Sequence, residues 1–400
     1  MSDYDVAIIG GGCIGCSTAT HLAEGSDFDV CVIEKEYQLG SHQSGRNSGV
    51  LHPGFNYPPG SLKAKFSTEG TTRMKEYLTE HNLPLETTGV LVVATDETER
   101  RRLSELKRRA DENGVKAEII EGERSVREYE PYAKGNAALY CPEAASIDSQ
   151  QYVYQLAADA KDGGVEFYMG HRVESVRYEG EHVITTSSGE LTSRYLVNAA
   201  GLYADKIADE LGVGEEYQIV PFRGEYYELV PGMEDVCESM IYPTPDPDLP
   251  FLGVHYTRRA DGKVIVGPNA VLAFGRESYR NTAIDFTELR ETLSYSGFWK
   301  LLGSREMARV AWNELNKSYR KERFVSAART LVPTVRENDL TRSYAGIRAQ
   351  LVDSDGTLVK DPLLSEGVRS LHVLNAVSPG LTSSLPFGER IAQRTIDSLE

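Results

Sequence analysis

Tyr4 to Ile9 is an apolar run that stops at Gly10-Gly11-Gly12-Cys13-Ile14-Gly15, and few architectures accept that join. The glycines read Gly10-x-Gly12-x-x-Gly15, Ala19 and Leu22 follow at helical spacing, and a second apolar run, Val30 to Ile33, closes on Glu34, nineteen residues after Gly15. Each part has a physical task. Gly10 lets the chain turn sharply out of a strand, Gly12 keeps side-chain atoms away from a pyrophosphate, and Gly15 lets the next helix pack closely on the sheet. The phosphates then lie at a helix N-terminus, where free N–H groups and the helix dipole favour an anion, while Glu34 accepts hydrogen bonds from ribose hydroxyls. The order strand, turn, helix, strand, carboxylate predicts a dinucleotide site; a glycine-rich turn that binds nothing is the weaker alternative.

Four hundred residues, 40% hydrophobic and 26% charged, suffice for one large or two ordinary domains with a sizeable core. No apolar run is long enough for a transmembrane helix, and Met1-Ser2-Asp3-Tyr4-Asp5 enters the first strand without a basic leader, which predicts a cytoplasmic location. Cys13, Cys16, Cys31, Cys141 and Cys237 are too few and too scattered for a disulfide framework. Cys13-x-x-Cys16 has redox spacing, but both residues fall in the phosphate turn and first helix turn, where small side chains are needed for packing. The net charge of −17 argues against a nucleic-acid partner. Its acidic excess is spread along the chain and Arg outnumbers Lys, which suggests a salt-adapted, halophilic surface; an ordinary acidic enzyme fits as well.

Residues 35 to 57 are rich in Gly, Ser, His and Asn, too polar to be buried without a partner, so their backbone groups are expected to bind the rest of the cofactor. Helices are predicted at about 61–82 and 97–113, the second a charged surface helix with little chemical content. A helix capped by Asp148 runs to Asp162 and stops at Gly163-Gly164. Short strands follow at 165–169, 173–178 and 183–186, and the strand Tyr195 to Ala199 runs into Ala200-Gly201 as a second strand-to-glycine crossing. Residues 219–267 read as strands separated by proline-rich turns. The stretch 287–332 reads as helical, with Phe298, Trp299, Leu302, Met307, Val310, Ala311, Leu315, Phe324, Ala328 and Leu331 at helix spacing. That stripe is most simply a core face, with membrane or partner docking as the alternative. A strand at 371–375 and Val377-Ser378-Pro379-Gly380-Leu381-Thr382-Ser383-Ser384 open the final helix.

The chain has a single GxGxxG and no CxxxxC after the second strand, so it lacks the two marks of a flavin disulfide reductase. With FAD in the single site, electrons must come from a substrate bound directly against the flavin; an NAD enzyme stays possible in principle. The polar loop after Glu34 and the terminal Ser378 to Ser383 suit FAD, because backbone N–H groups opening the last helix would stabilise charge at the flavin N1 and C2 carbonyl.

These residues resemble the D-amino-acid oxidase superfamily, in the glycine turn with Ala19 and Glu34, the strand into Ala200-Gly201, and the C-terminal glycine loop. The likeness is closer still to the FAD-dependent L-2-hydroxyglutarate oxidase or dehydrogenase family. It is carried by His42-Gln43-Ser44-Gly45-Arg46-Asn47-Ser48-Gly49-Val50-Leu51-His52, Pro221-Phe222-Arg223-Gly224-Glu225-Tyr226-Tyr227, Tyr242-Pro243-Thr244-Pro245-Asp246-Pro247, Pro250-Phe251-Leu252-Gly253-Val254-His255 and the stretch from Val266 to Phe274. The resemblance covers nearly the whole chain. It implies an α/β fold: a Rossmann-like FAD-binding domain of the glutathione-reductase type (1–85, 147–215 and 340–400) and an α+β cap of mainly antiparallel sheet plus helices (86–146 and 216–339). The implied cofactor contacts are Gly10, Gly12, Ile14, Gly15, Glu34, Lys35, Ser44, Gly45, Arg46, Asn47, Ser48, Gly49, Val173, Ala200, Gly201, Ser378, Pro379, Gly380, Leu381, Thr382 and Ser383.

The implied reaction turns L-2-hydroxyglutarate into 2-oxoglutarate, with electrons passed to a quinone, another acceptor or oxygen. A hydride leaves C2 for flavin N5 while the hydroxyl loses a proton, so a base is needed beside that hydroxyl. His52 is the first candidate and His255 the second. The small dicarboxylate needs cationic partners, for which Arg223 and Arg348 are the candidates, with Arg258, Arg259 and Arg276 flanking the same sheet and Tyr242 and Thr257 as further donors. No cysteine lies near the C-terminus for covalent attachment, so non-covalent FAD is expected, a histidyl link staying open. No metal is expected. The alternatives are a relative oxidising an amino acid or another small 2-hydroxy acid, and a flavin-binding protein with a regulatory or RNA-modification role, which the acidic surface disfavours. A peripheral contact with the inner face of the membrane is left open by the helices at 287–332.

Overall fold

A computed structural model of the chain describes residues 2–246, 252–303, 305–376 and 378–400, with the side chains of 305–308 left aside. Pro247, Pro250, Phe251 and Val377 of the sequence motifs, and the side chain of Met307, lie outside the described residues.

The strand Tyr4–Ile9, the helix Cys13–Gly25 and the strand Val30–Glu34 form a β-α-β unit. The two strands are parallel neighbours, Val6 opposite Val30 and Ile9 opposite Ile33. Their apolar residues are continuous because both faces are covered: Val6, Ile8, Val30 and Val32 pack on one side, and Ala7, Ile9, Cys31 and Ile33 on the other. Glu166–Met169 pairs with Val30–Glu34, Gly189–Asn198 with Tyr4–Ile9, and Ser370–Asn375 with the end of Gly189–Asn198, all parallel. Antiparallel strands Val173–Tyr178, His182–Thr186 and Leu363–Gly367 complete this sheet. The carboxyl ends of the five parallel strands thus share one edge, where open α/β sheets bind ligands. The final helix, Ser384–Leu399, packs back on Cys13–Gly25 so tightly that a Cβ at Gly388 would come within 2.3 Å of the Ser17 Oγ.

A second, mixed sheet contains Val90–Ala94, Glu118–Glu121, Ala137–Cys141, Tyr217–Leu229, Met240–Pro243, His255–Arg258, Val264–Gly267, Val271–Leu272 and Leu340–Asp353. Its pairs are antiparallel except Met240–Pro243 on Val90–Ala94. The placement of Leu340–Asp353 corrects the sequence-based division, which had assigned residues from 340 onward to the cofactor domain: it pairs along the length of Tyr217–Leu229. The physical reason is its apolar alternation, since Ile347, Ala349 and Leu351 pack with Ile219 against Leu202, Ala204 and Leu374 of the first unit. That cluster joins the two sheets. A small third sheet pairs Val50–Leu51 and Leu85–Glu86 with Ala145–Ile147.

Of the 287–332 stripe, Phe298, Phe324, Ala328 and Leu331 are buried as expected of a core face. Trp299 and Ala311 are exposed instead. The Trp299 indole N–H donates to the Leu293 carbonyl, which holds the ring against the surface. Among the described residues no helix is long and apolar enough to cross a membrane. All five cysteines are buried and free.

Candidate active site

The glycine turn is shaped by close approach. Gly10 has φ +112°, and a Cβ there would lie 2.4 Å from the Ala199 carbonyl oxygen; a Cβ on Gly15 would lie 1.9 Å from the Gly10 oxygen. No side chain caps the helix at Gly12, which leaves its open end to an anion. One N–H is already used: Cys13 donates to Ser44 Oγ at 2.9 Å, anchoring the polar loop beside the turn. Glu34 is fixed at both oxygens, Oε2 accepting from Gly11 N–H at 2.7 Å and Oε1 from Glu36 N–H at 2.9 Å. Its carboxylate therefore faces the cavity in one orientation, with lone pairs left for a ribose.

From this turn a cavity of about 1360 Å³ runs along the carboxyl ends of the parallel strands to the second sheet. Its volume exceeds the roughly 300–1,000 Å³ usual for a small ligand and suits a dinucleotide plus a small acid. Gly10, Gly12, Ile14, Glu34, Lys35, Ser44, Arg46, Asn47, Ser48, Val173, Ala200, Gly201, Ser378, Pro379, Gly380, Leu381 and Thr382 line it. Gly15, Gly45, Gly49 and Ser383 do not. Gly15 seats the helix on the turn, a Cβ on Gly45 would meet Gln150 Oε1 at 2.2 Å, and one on Gly49 would meet the Ile147 oxygen at 2.4 Å. Ser383 is buried in the N-cap of the last helix. These four shape the walls from behind.

The cap strand lies directly on the cofactor loop. Tyr344 OH donates to the Asn47 carbonyl at 2.6 Å, and a Cβ on Gly346 would come within 2.1 Å of the Arg46 oxygen. Arg46 stacks over the Tyr279 ring at 4.3 Å. Lys35 lines the cavity but is already compensated, held by Glu36, by Glu277 at 2.6 Å and by the His42 Nε2 at 2.8 Å. Glu36, His42 and Glu277 are close enough together to share a cation, and the Lys35 ammonium fills that role.

At the other end His52, Tyr242, His255, Tyr226 and Arg348 meet in one wall. Tyr242 continues the antiparallel register of Met240 with Thr257 to stand opposite His255, the two rings 4.2 Å apart, while the His52 ring is 6.2 Å from that of Tyr242. The Tyr242 hydroxyl is buried with the Thr257 side chain near it and makes no well-formed hydrogen bond among the described residues, so it can turn as a donor to a ligand. His255 Nδ1 is 2.8 Å from the Gly253 carbonyl, which can only accept. The ring therefore carries its proton on Nδ1 and keeps a free lone pair on Nε2. His52 has its backbone N–H on Thr382 Oγ1 at 3.1 Å, but among the described residues no such bond orders its ring. Burial pushes the His52 ring down to about 4 and the His255 ring to about 3, with His52 and Arg348 adding repulsion to the latter.

Arg223, expected at the substrate, does not line the cavity. It is 2% exposed and donates to the carbonyls of Ser278 and Arg280, both at 3.1 Å, with Glu225 at 3.5 Å. Strand side chains alternate; Gly224 and Tyr226 face the cavity, so Arg223 and Glu225 face away and brace the segment behind. Arg348 stands opposite Phe222 and shares the cavity face. Thr257 is buried outside the cavity wall, two residues beyond His255. Arg258 and Arg276 are likewise structural, Arg276 forming a buried pair with Asp205. Residues not singled out from the sequence also enter the wall: Asn56, Tyr57, Lys63 and Tyr226. The helix Glu97–Glu112 matters here too, because Arg109 donates to the Asn56 carbonyl at 3.1 Å and Asn113, just past its end, to the carbonyls of Gly54 and Tyr57.

The chain matches the family described as DAO, FAD dependent oxidoreductase, over residues 5–394. It is 40% identical over 400 residues to the L-2-hydroxyglutarate dehydrogenase of Indibacter alkaliphilus, covering 98% of each chain. It is 36% identical to that of Escherichia coli K12, covering 98% of this chain and 93% of the relative. Among solved structures it resembles L-alpha-glycerophosphate oxidase of Mycoplasma pneumoniae with FAD bound (TM-score 0.78, 24% identity, 99% and 95% covered). It also resembles glycine oxidase of Geobacillus kaustophilus (TM-score 0.76, 19% identity, 99% and 95% covered). At these identities the structural likeness is one of fold.

Proposed function

We infer that this chain, which belongs to the FAD dependent oxidoreductase (DAO) family, oxidises L-2-hydroxyglutarate to 2-oxoglutarate with FAD as its cofactor. The observation that carries the reading is the junction of a dinucleotide cradle with a cationic, histidine-bearing wall in one continuous cavity. FAD fits the residues present: the glycine turn has no room for a Cβ, Glu34 is oriented for a ribose, and the Ser378–Thr382 loop closes the far end. FAD supplies the hydride-accepting ring, held without a covalent link.

The protein's own groups bind and orient the acid and move its proton. Arg348 pairs with the carboxylate next to C2. The Tyr242 hydroxyl, kept protonated by burial, donates to the same end of the substrate. His255 Nε2 accepts the proton of the C2 hydroxyl. A bound carboxylate cancels the repulsion from Arg348 and draws the imidazole upward from its unliganded value, toward the range where a base works. His52, its ring 6.2 Å from that of Tyr242, adds a second buried imidazole to this wall.

Electrons leave, in our proposal, to a membrane quinone. Phe286, Trp299 and Trp312 are 80%, 57% and 66% exposed. Residues 286–330 also carry nine Lys or Arg against five Asp or Glu in a chain of net charge −17. Exposed aromatic side chains in a stretch of local positive charge suit an anionic lipid surface, at the cytoplasmic side of the membrane. We take the acidic remainder of the surface as adaptation to high salt.

Anaerobic absorbance spectra of the purified protein test the activity. Bleaching of a yellow flavin by L-2-hydroxyglutarate, and not by its D enantiomer, glycine or glycerol 3-phosphate, is the expected result. Bleaching by a control instead would keep the fold and replace the substrate.

A further inference from the structure

We propose that Lys63 receives the distal carboxylate of the substrate, and so sets the enzyme's choice of a five-carbon dicarboxylate over neutral-tailed 2-hydroxy acids. The proposal rests on the reading of the chain as an L-2-hydroxyglutarate-oxidising enzyme. Such a substrate brings two full charges into the cavity, and a carboxylate desolvated there without a counter-charge is disfavoured. Arg348 serves one carboxylate. A second cation is required.

Lys63 is the cavity lysine with charge to spare. It is half-buried in the wall, its ammonium 5.7 Å from the centre of the Tyr57 ring, and that ammonium forms no hydrogen bond or ion pair with any described residue. Burial lowers its pKa, and Asp361 opposes that from longer range. The other cavity lysines are excluded in turn: Lys35 is held by two carboxylates, Lys206 pairs with Glu291 at 2.8 Å, and Lys360 is exposed to solvent.

The location within the helix points the same way. Lys63 sits in the first turn of Leu62–Glu80, where the positive end of the helix dipole disfavours a cation, and no acidic residue in that turn relieves it. A lysine there weakens its own helix, and among the described residues no carboxylate pairs with it. An anion arriving at the site would be attracted by both.

Along the wall, Arg348 acts electrostatically on His255, His255 touches Tyr242, Tyr242 senses Tyr57, and Lys63 lies over Tyr57. The proposed base thus feels Arg348 directly, while the rings of Tyr242 and Tyr57 link it to Lys63. A 2-hydroxy dicarboxylate reacting at C2 has that asymmetry.

The test is anaerobic flavin reduction in Lys63→Met, Lys63→Gln and Lys63→Arg holoenzymes, using L-2-hydroxyglutarate and its 5-carboxamide, whose tail is neutral. Lys63→Met and Lys63→Gln should weaken apparent binding of the dicarboxylate at least about tenfold while changing that of the amide less than about twofold, and Lys63→Arg should restore most of the preference. The flavin spectrum should stay unchanged, and Lys65→Met, an exposed neighbour, serves as control. Equal effects on both substrates, or none on either, would overturn the assignment. Should Lys63→Met lose its flavin, the ratio in Lys63→Gln decides. A wild-type flavin that L-2-hydroxyglutarate does not bleach would sink the functional reading itself, whatever Lys63 does.

Discussion

His255 and His52 flank the same tyrosine, yet only one has its tautomer fixed. The Gly253 carbonyl can accept and not donate, so it commits the His255 proton to Nδ1 and leaves Nε2 basic. The expected outcome is that His255→Asn slows flavin reduction about 10²- to 10⁴-fold with little change in apparent substrate affinity, and His52→Asn slows it less. The reverse ranking in stopped-flow traces would move the base to His52. The sequence ranked these residues the other way, because a glycine-rich loop marks His52 as near the cofactor while nothing in Val254-His255-Tyr256 shows what Gly253 does for the ring. Arg223 was misjudged for a related reason. Its motif, Arg223-Gly224-Glu225-Tyr226, places charged and cavity-facing residues alternately, and which set faces the ligand depends on a sheet register fixed by residues 346–348, far along the chain.

At the scale of elements, the β-α-β unit was fully legible, since a glycine turn between two apolar runs has essentially one solution. The strand Leu340–Asp353 was not. Its apolar residues fit either sheet, and only its long pairing with Tyr217–Leu229 decides. The helical arm was half legible: Phe324, Ala328 and Leu331 obey the stripe, but Trp299 turns outward onto the Leu293 carbonyl. That arm yields a direct expectation. The wild-type protein should float with vesicles containing anionic lipid, and a Trp299→Ser, Trp312→Ser double variant should not, with bleaching by L-2-hydroxyglutarate unchanged. Flotation independent of both tryptophans, or absent in the wild type, would remove the arm from any membrane role.

For the whole molecule, buried neutral histidines set the acid limit of stability. His372 is fully buried, its Nδ1 accepting from Asn198 Nδ2 at 3.1 Å, and burial holds its pKa at about 4 against the ordinary 6.5. The unfolded chain binds that proton first as pH falls. The contribution is therefore complete above pH 6.5 and is lost between there and about 4, amounting to about 3 kcal/mol for the single site. Melting temperature should fall across that window, and less steeply in His372→Gln; parallel slopes would dismiss the site. The same melts with and without molar salt test the proposed salt adaptation, which an unchanged melting temperature would refute.

The packing of Ser384–Leu399 on Cys13–Gly25, with Ser370–Asn375 beside Gly189–Asn198, sets a condition on biosynthesis. The first β-α-β unit leaves the ribosome well before the helix that covers it and the strand that closes its sheet, which follow it by more than three hundred residues of chain. Until then the nascent chain carries an open sheet edge and an uncovered apolar helix, the features that chaperones recognise and that seed aggregation. Synthesis of this protein is thus a race in which the cofactor's half of the chain waits, unfinished, for Ser370–Asn375 and Ser384–Leu399.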